Sequence, residues 1–235
     1  MAAGVLKIGV FVMLMSELCG LELYYFNEKG RAEPIRLMLH FAGINFTDYR
    51  FSRADWNAAQ YTLAFSTIPA IVDDMTIVAN SGAITRYVAQ ITHLLTPTVL
   101  EDAKLDALFE QSQPLLNSVL QYIDIVEGRS PGDANASRYN LVDYPAQYYL
   151  PMIEAYTDNN TGLFGHSDIT YMDFAWYNIL DLINYYAPDV LLKYYASINH
   201  WNRVDGYNNS NLQKYLLNRY LDFARNDTFQ LDNVF

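Results

Sequence analysis

The hydrophobic pattern divides the chain into two unlike halves. Leu21 to Asn27 (Leu-Glu-Leu-Tyr-Tyr-Phe-Asn) is rich in β-forming residues and ends in a polar turn, which predicts a strand. Gly30 opens the next segment, and Pro34 falls in a first helical turn, where the missing N–H would have no intrahelical partner anyway. Ile35, Met38, Leu39 and Ala42 then recur at helical spacing until Gly43 stops the helix. Phe46 to Phe51 reads as a second strand. A strand–helix–strand unit predicts parallel strands with a right-handed crossover. Ile68-Pro69 leads into a third strand, Ala70 to Val72, and the Asp73-Asp74 turn returns it through Met75 to Ala79 as a hairpin. Ser81 is placed to cap a helix running to about Ile91. The predicted order is β-α-β, β-β, α.

Thr96-Pro97 breaks the chain, and the pattern beyond it is helical. Thr98-Val-Leu-Glu101 is a capping box opening a long helix, inside which Pro114 predicts a kink. Helical patterns follow at about Tyr139–Tyr156, Leu191–Ser197 and Leu212–Phe223. Thr170-Tyr-Met-Asp173 is a second capping box, with Ala175, Ile179 and Leu182 behind it on one face. No alternating strand pattern occurs after Ala79. The expected fold class is a small α/β domain at residues 21–93, a linker at 94–97 and an all-α domain at 98–235, with residues 1–20 as a leader-like extension.

Composition narrows the functions open to such a chain. Of 235 residues, 51% are apolar, which excludes a disordered or collagen-like protein. Fifteen basic against 26 acidic residues give a net charge of -11, which would repel nucleic acid or an anionic membrane surface. The single cysteine, Cys19, excludes an internal disulfide framework and a thiolate metal cluster, and no metal is expected. The longest apolar run, Ile8 to Met15, is too short to span a bilayer. Met1 to Gly20 has two readings. It is a secretory signal with one positive charge at Lys7 and a poor cleavage site, or it precedes a true start at Met15. Sequons at Asn45, Asn135, Asn159, Asn208 and Asn226 favour export with N-glycosylation, although a chain rich in Asn acquires some by chance. The cytoplasm is the expected location.

Candidate chemistry gathers in the first half. Tyr25 lies near the C-terminal end of the first strand, where α/β sheets place their binding crevice, and a phenol there donates a hydrogen bond to a bound anion. Arg31 and Arg36 flank the start of the following helix and, without further context, read as solvated surface arginines. A cis bond at Ile68-Pro69 would expose the Ile68 backbone to an extended, peptide-like ligand, while trans is the base expectation. Asn80-Ser81 opens a helix whose free N–H groups and hydroxyl suit a carboxylate.

Together these residues form a recognisable series. Tyr25-Phe-Asn-Glu-Lys-Gly-Arg-Ala-Glu-Pro-Ile-Arg36 resembles the N-terminal signature of the cytosolic glutathione transferases, and above all their sigma-like group, which includes glutathione-dependent prostaglandin D synthases. Ala54-Asp55-Trp56, Ile68-Pro69, Asn80-Ser81 and Thr170-x-x-Asp173 follow in the family's order, so the resemblance covers Leu21 to Phe223. It implies a thioredoxin-like first domain and glutathione as co-substrate. It also implies a homodimer, and a hydrophobic electrophile held by Tyr and Met residues of the helical domain, first by the Ser112–Val119 stretch. Tyr25 then matches the tyrosine that stabilises the glutathione thiolate, and Arg31 an arginine beside it. Trp56 matches a contact to the glycyl end. Ile68 matches the residue whose backbone pairs with the cysteinyl part, ahead of cis Pro69 and next to Thr67. Ser81 matches the hydroxyl that binds the γ-glutamyl carboxylate, and Asn80 stands where the family usually has Gln.

Two positions depart from the family. Gln60 occupies the place of a lysine that meets the glycyl carboxylate. Ser112-Gln113-Pro114 replaces an acidic residue that reaches the partner subunit's glutathione. Both departures imply weaker glutathione affinity. They keep open a second implication of the resemblance, a non-catalytic, crystallin-like relative.

Overall fold

The computed structural model describes residues 20–60, 66–165 and 168–224. The leader-like segment with Met15 and Cys19, the Asn226 sequon and the chain from 225 onward lie outside these residues. Strand β1 (Leu21–Phe26) pairs in parallel with β2 (Phe46–Phe51) across helix α1 (Glu33–Ala42), as the strand–helix–strand pattern predicts. Helix α2 (Arg53–Ala59) follows. Then come β3 (Ala70–Asp73) and β4 (Thr76–Ala79), an antiparallel hairpin whose first strand also runs antiparallel to β1. The sheet order is β2-β1-β3-β4. Helix α2 escaped the sequence reading because two turns are too short for periodicity to register. Its signal was the capping box Ser52-Arg-Ala-Asp55, in which the Asp55 N–H donates to the Ser52 hydroxyl at 3.1 Å and the Ser52 N–H donates back at 3.3 Å.

Helix α3 (Ser81–Ile91) begins one residue earlier than expected. Asn80, not Ser81, occupies the capping position, and it does so with φ of 74° and no side-chain capping bond. The helical half opens with α4 (Val99–Val126), which continues as one element across Pro114. There follow α5 (Ala134–Arg138), a π-helical turn (Tyr139–Asp143) and α6 (Tyr144–Glu154), one unbroken helical run that starts before the expected Tyr139 and carries a π-helical turn. Then come α7 (Tyr171–Tyr186), α8 (Pro188–Leu191), α9 (Tyr195–Asp205) and α10 (Ser210–Ala224). The predicted helix over Leu191–Ser197 is in fact the junction of α8 and α9. Pro188 starts the first within one turn, and Tyr194 caps the second.

The core runs continuously from sheet to helices. Helix α7 buries Phe174, Trp176, Tyr177, Ile179, Leu180 and Ile183 completely, and it packs on α1, which buries Ile35, Leu37, Met38 and Leu39. Each such side chain contributes about 1.5–3 kcal/mol of burial, so the two halves are bound along this seam. Arg36 overturns its reading as a solvated arginine, because it is wholly buried. Its Nε donates to Asp48 at 2.9 Å and its Nη1 to the Glu28 carbonyl at 2.8 Å, which ties α1 to β2 and to the turn after β1. Among the described residues, no helix is long and apolar enough to cross a membrane.

Candidate active site

Strand register brings the sequence motifs to one end of the sheet. Tyr24 pairs with Ala70, and Ala70 with Ala79. The Ile68-Pro69 peptide therefore lies beside Tyr25, and Asn80-Ser81 follows on its other side. Phe26 pairs with Phe51 in the parallel ladder, so Ser52 and α2 start at that same end. Hydrogen bonding has thus gathered residues more than fifty positions apart in sequence. The Ile68-Pro69 bond is cis, the form that the resemblance implied.

Tyr25 is buried at 4% exposure on the floor of a cavity of about 430 Å³ between the sheet and the helices. Its hydroxyl oxygen accepts the Arg31 backbone N–H at 3.1 Å. Burial and the nearby Glu28 carboxylate raise the phenol above its ordinary value of 10.0, against the opposing pull of the Arg31 N–H and the Arg31 and Arg36 guanidiniums. The phenol therefore keeps its proton at neutral pH and is a donor. Arg31 itself is half-buried. Its Nη2 donates to the neutral side-chain carbonyl of Asn117 on α4 at 2.6 Å, an arrangement that leaves its positive charge uncancelled by that partner.

The other expected residues sit around this centre rather than in the cavity wall. Trp56 is buried against Tyr24, Phe51 and Ala70, with its ring edge-on to Phe51 at 5.7 Å. Gln60 ends α2, and its amide donates to the Asn57 carbonyl at 3.4 Å. Thr67 is exposed, Ile68 half-buried and Pro69 buried. Ser81 forms the first turn of α3, which carries no acidic residue, so no side chain of that turn offsets the positive end of the helix.

The helical wall of the cavity differs from its expected location. Leu120, Ile123, Asp124 and Glu127 of α4 line it, together with Arg129, Leu182, Tyr185 and Tyr186. In the expected stretch, Ser112 instead turns into the core and bonds the Phe109 carbonyl at 2.6 Å. Among the described residues, no methionine lines this cavity. The spacing of Leu120, Ile123, Asp124 and Glu127 was legible as one helical face, but which face looks at the sheet depends on how α4 docks. Charges ring the mouth. Arg53 donates to Glu28 at 3.0 Å, and Arg129 donates to Asp124 at 2.7 Å. Lys29 reaches Asp181 on α7 at 2.7 Å. Asn178, one turn before Asp181, donates from its amide to the Gly30 carbonyl at 2.9 Å. Sequence reasoning missed Lys29 and Asn178, whose partners lie in the other half of the chain, and Arg53 and Arg129, whose links between the halves run to Asp124 at 3.5 Å and to Glu28 at 3.7 Å.

Comparison with known proteins agrees with this geometry. Residues 125–219 match the family model described as the glutathione S-transferase C-terminal domain. The chain is 30% identical over 171 residues to the hematopoietic prostaglandin D synthase of Homo sapiens, covering 72% of this chain and 82% of that protein. A probable glutathione S-transferase of Caenorhabditis elegans is 28% identical over 203 residues, covering 84% of this chain and 96% of that one. The crystal structure of the glutathione S-transferase from Ascaris lumbricoides superposes with a TM-score of 0.76 at 25% identity, over 85% of this chain and 97% of that one.

Proposed function

Because the chain belongs to the glutathione S-transferase family, we propose that it conjugates the glutathione thiolate to hydrophobic electrophiles, with Tyr25 and Arg31 as the groups that act on the sulfur. One observation carries the reading. Tyr25 is a protonated phenol whose oxygen is already occupied by the Arg31 N–H, so its proton is left for a ligand in the cavity. A free thiol has a pKa of about 8.5 and is a poor nucleophile, while the thiolate attacks. Each unit of depression corresponds to about 1.4 kcal/mol of preferential thiolate stabilisation. The Tyr25 hydroxyl, the Arg31 charge and the N-terminus of α1 together supply one or two such units. The thiolate then attacks an electrophilic carbon held against Leu120, Ile123 and Leu182. As the C–S bond forms, the bond to the leaving group breaks and that group departs with its electron pair, as chloride from a chlorodinitrobenzene.

Residues 21–93 hold glutathione in this reading, and residues 98–235 hold the apolar acceptor. Trp56 and Gln60 meet the glycyl end. Thr67, Ile68 and Pro69 meet the cysteinyl part, and Asn80 and Ser81 the γ-glutamyl carboxylate. The protein acts in the cytoplasm as a homodimer. Exposed apolar side chains at Met75, Val99 and Leu100 support the second point, and a single monomer mass in light scattering at micromolar concentration overturns it. Retention on a glutathione-affinity column together with turnover of a chlorodinitrobenzene substrate tests the main reading. Retention without turnover favours the non-catalytic, crystallin-like alternative. Isomerisation of prostaglandin H2 uses the same thiolate, and the identity to the human prostaglandin synthase supports it as a second activity. Formation of prostaglandin D2 from that substrate is its test.

A further inference from the structure

We propose that Asn178, a residue of the helical half, is a positioning residue that sets the direction of the Tyr25 hydroxyl by clamping the Gly30–Arg31 peptide. This proposal rests on the reading of Tyr25 as the donor to the thiolate. The carbonyl of Gly30 and the N–H of Arg31 belong to one planar peptide unit. The Asn178 amide holds the carbonyl end at 2.9 Å, and the N–H end donates to the Tyr25 oxygen at 3.1 Å.

Several features require a clamp at this point. Gly30 has φ of 47°, and a Cβ there would lie 2.6 Å from the Tyr25 oxygen, so only glycine fits beneath the phenol. Glycine also rotates more freely than any other residue, which leaves the orientation of the following peptide to outside contacts. Asn178 is fully buried. Its amide cannot be turned over, because its own oxygen would then face the Gly30 carbonyl. Its Oδ1 has no hydrogen-bond partner among the described residues. An apolar side chain of equal volume would avoid that unmet acceptor, so what the asparagine contributes is its donor. A donor on the carbonyl polarises the peptide and strengthens its N–H toward Tyr25. With that lone pair of the phenol occupied, the hydroxyl proton is directed into the cavity. Helix α7 also supplies Asp181 to Lys29 and Leu182 to the cavity wall at neighbouring positions on the same face, so this face of α7 is the floor support of the site.

The test compares the full chain, Asn178→Leu, Tyr25→Phe and the double variant. The ultraviolet absorbance of the bound glutathione thiolate is titrated against pH, alongside the pH profile of kcat/KM and the melting temperature. Asn178→Leu is expected to raise the thiol pKa by roughly half to one unit, the worth of one hydrogen bond. Turnover at neutral pH should fall about 3–10-fold and recover at higher pH, with KM for glutathione within about twofold. In the Tyr25→Phe background the same substitution should shift nothing further. Tyr25→Phe raising the thiol pKa while Asn178→Leu leaves it in place overturns the proposal and spares the reading of Tyr25. An unchanged pKa in Tyr25→Phe sinks that reading, and the proposal with it. Should Asn178→Leu not fold, Asn178→Ala removes the donor without adding bulk, and a wild-type thiol pKa in that variant overturns the proposal equally.

Discussion

Two buried polar clusters, one around the Tyr25 hydroxyl and one around the Asp173 carboxylate, resemble each other in burial and differ in how their bonding capacity is used. Asp173 is wholly buried at the start of α7, in the capping box with Thr170. Its carboxylate accepts the Thr170 N–H at 2.7 Å, the Thr170 hydroxyl at 2.7 Å and the Phe164 N–H at 2.9 Å. His200 lies 3.8 Å away. The Tyr25 hydroxyl accepts one N–H and keeps its proton for the cavity. A saturated buried group fixes the chain, whereas one with capacity left over toward a cavity, under the function proposed above, is available to a ligand. Arg36 separates this rule from a rival in which the sheet half does chemistry and the helical half supplies stability. It lies in the sheet half and yet is saturated, with Asp48 and two backbone carbonyls as acceptors.

The largest expected effect tests that separation. Asp48→Asn should destabilise the fold by about 3 kcal/mol, the lower range for breaking a buried pair, and leave the pH profile of turnover in place. Burial alone would raise the Asp48 carboxyl, but Arg36 and Arg50 outweigh it and hold the group below its ordinary value of 3.8. A lowered folded pKa gives stability that is present above that value and is lost as pH falls through the folded one. Wild-type stability should therefore drop below about pH 4, and the variant should lose that acid limb. Denaturant midpoints at pH 3 and pH 7 decide it, and a variant with altered turnover but wild-type stability would break the comparison.

Of comparable size, but on turnover rather than stability, Tyr25→Phe should keep its melting temperature and its glutathione binding. Its turnover should fall by roughly 10²–10³, equal to about 2.7–4 kcal/mol for one lost oxyanion-type donor. Unchanged turnover in that variant rules out the role given to the hydroxyl.

Thr170→Ala should do the reverse. It should cost about 1–2 kcal/mol of stability, typical for a helix cap, and lower the melting temperature by roughly 2–8 °C. The pH dependence of turnover should stay fixed, because Thr170 stands at the N-terminal end of α7, about two turns before Asn178 and its contact with the Tyr25 site. A shifted pH profile at an unchanged melting temperature would show that the roles of the two clusters are misassigned.

The smallest effect belongs to the cap at Thr98, where the expected capping box forms only its hydroxyl half. Thr98 caps α4 by accepting the Glu101 N–H at 3.2 Å, but that site faces solvent. Water replaces the lost partner there, so Thr98→Ala should cost no more than about 0.5 kcal/mol. Equal melting temperatures for Thr98→Ala and Thr170→Ala would show that burial does not set the worth of a cap.

Much of this was legible before any coordinates, and for local reasons. The strand–helix–strand opening, the hairpin at Asp73-Asp74, the cap at Thr98 and the capping box at Thr170-Asp173 follow from residues within a few positions of one another. Tyr25, Arg31, Ile68-Pro69 and Ser81 were identifiable because each belongs to a short motif, and the motifs keep their order along the chain. Tertiary structure alone decided the rest. Arg36 read as solvated because its acceptor Asp48 stands on a different element. The cavity wall was placed about two turns early on α4, because periodicity gives a helix its apolar stripe but not the rotation at which it docks. Asn178 had no local signal at all. Its partner is a backbone carbonyl 148 residues earlier, and a bond that closes only when α7 packs against the turn before α1 leaves no trace in either segment by itself.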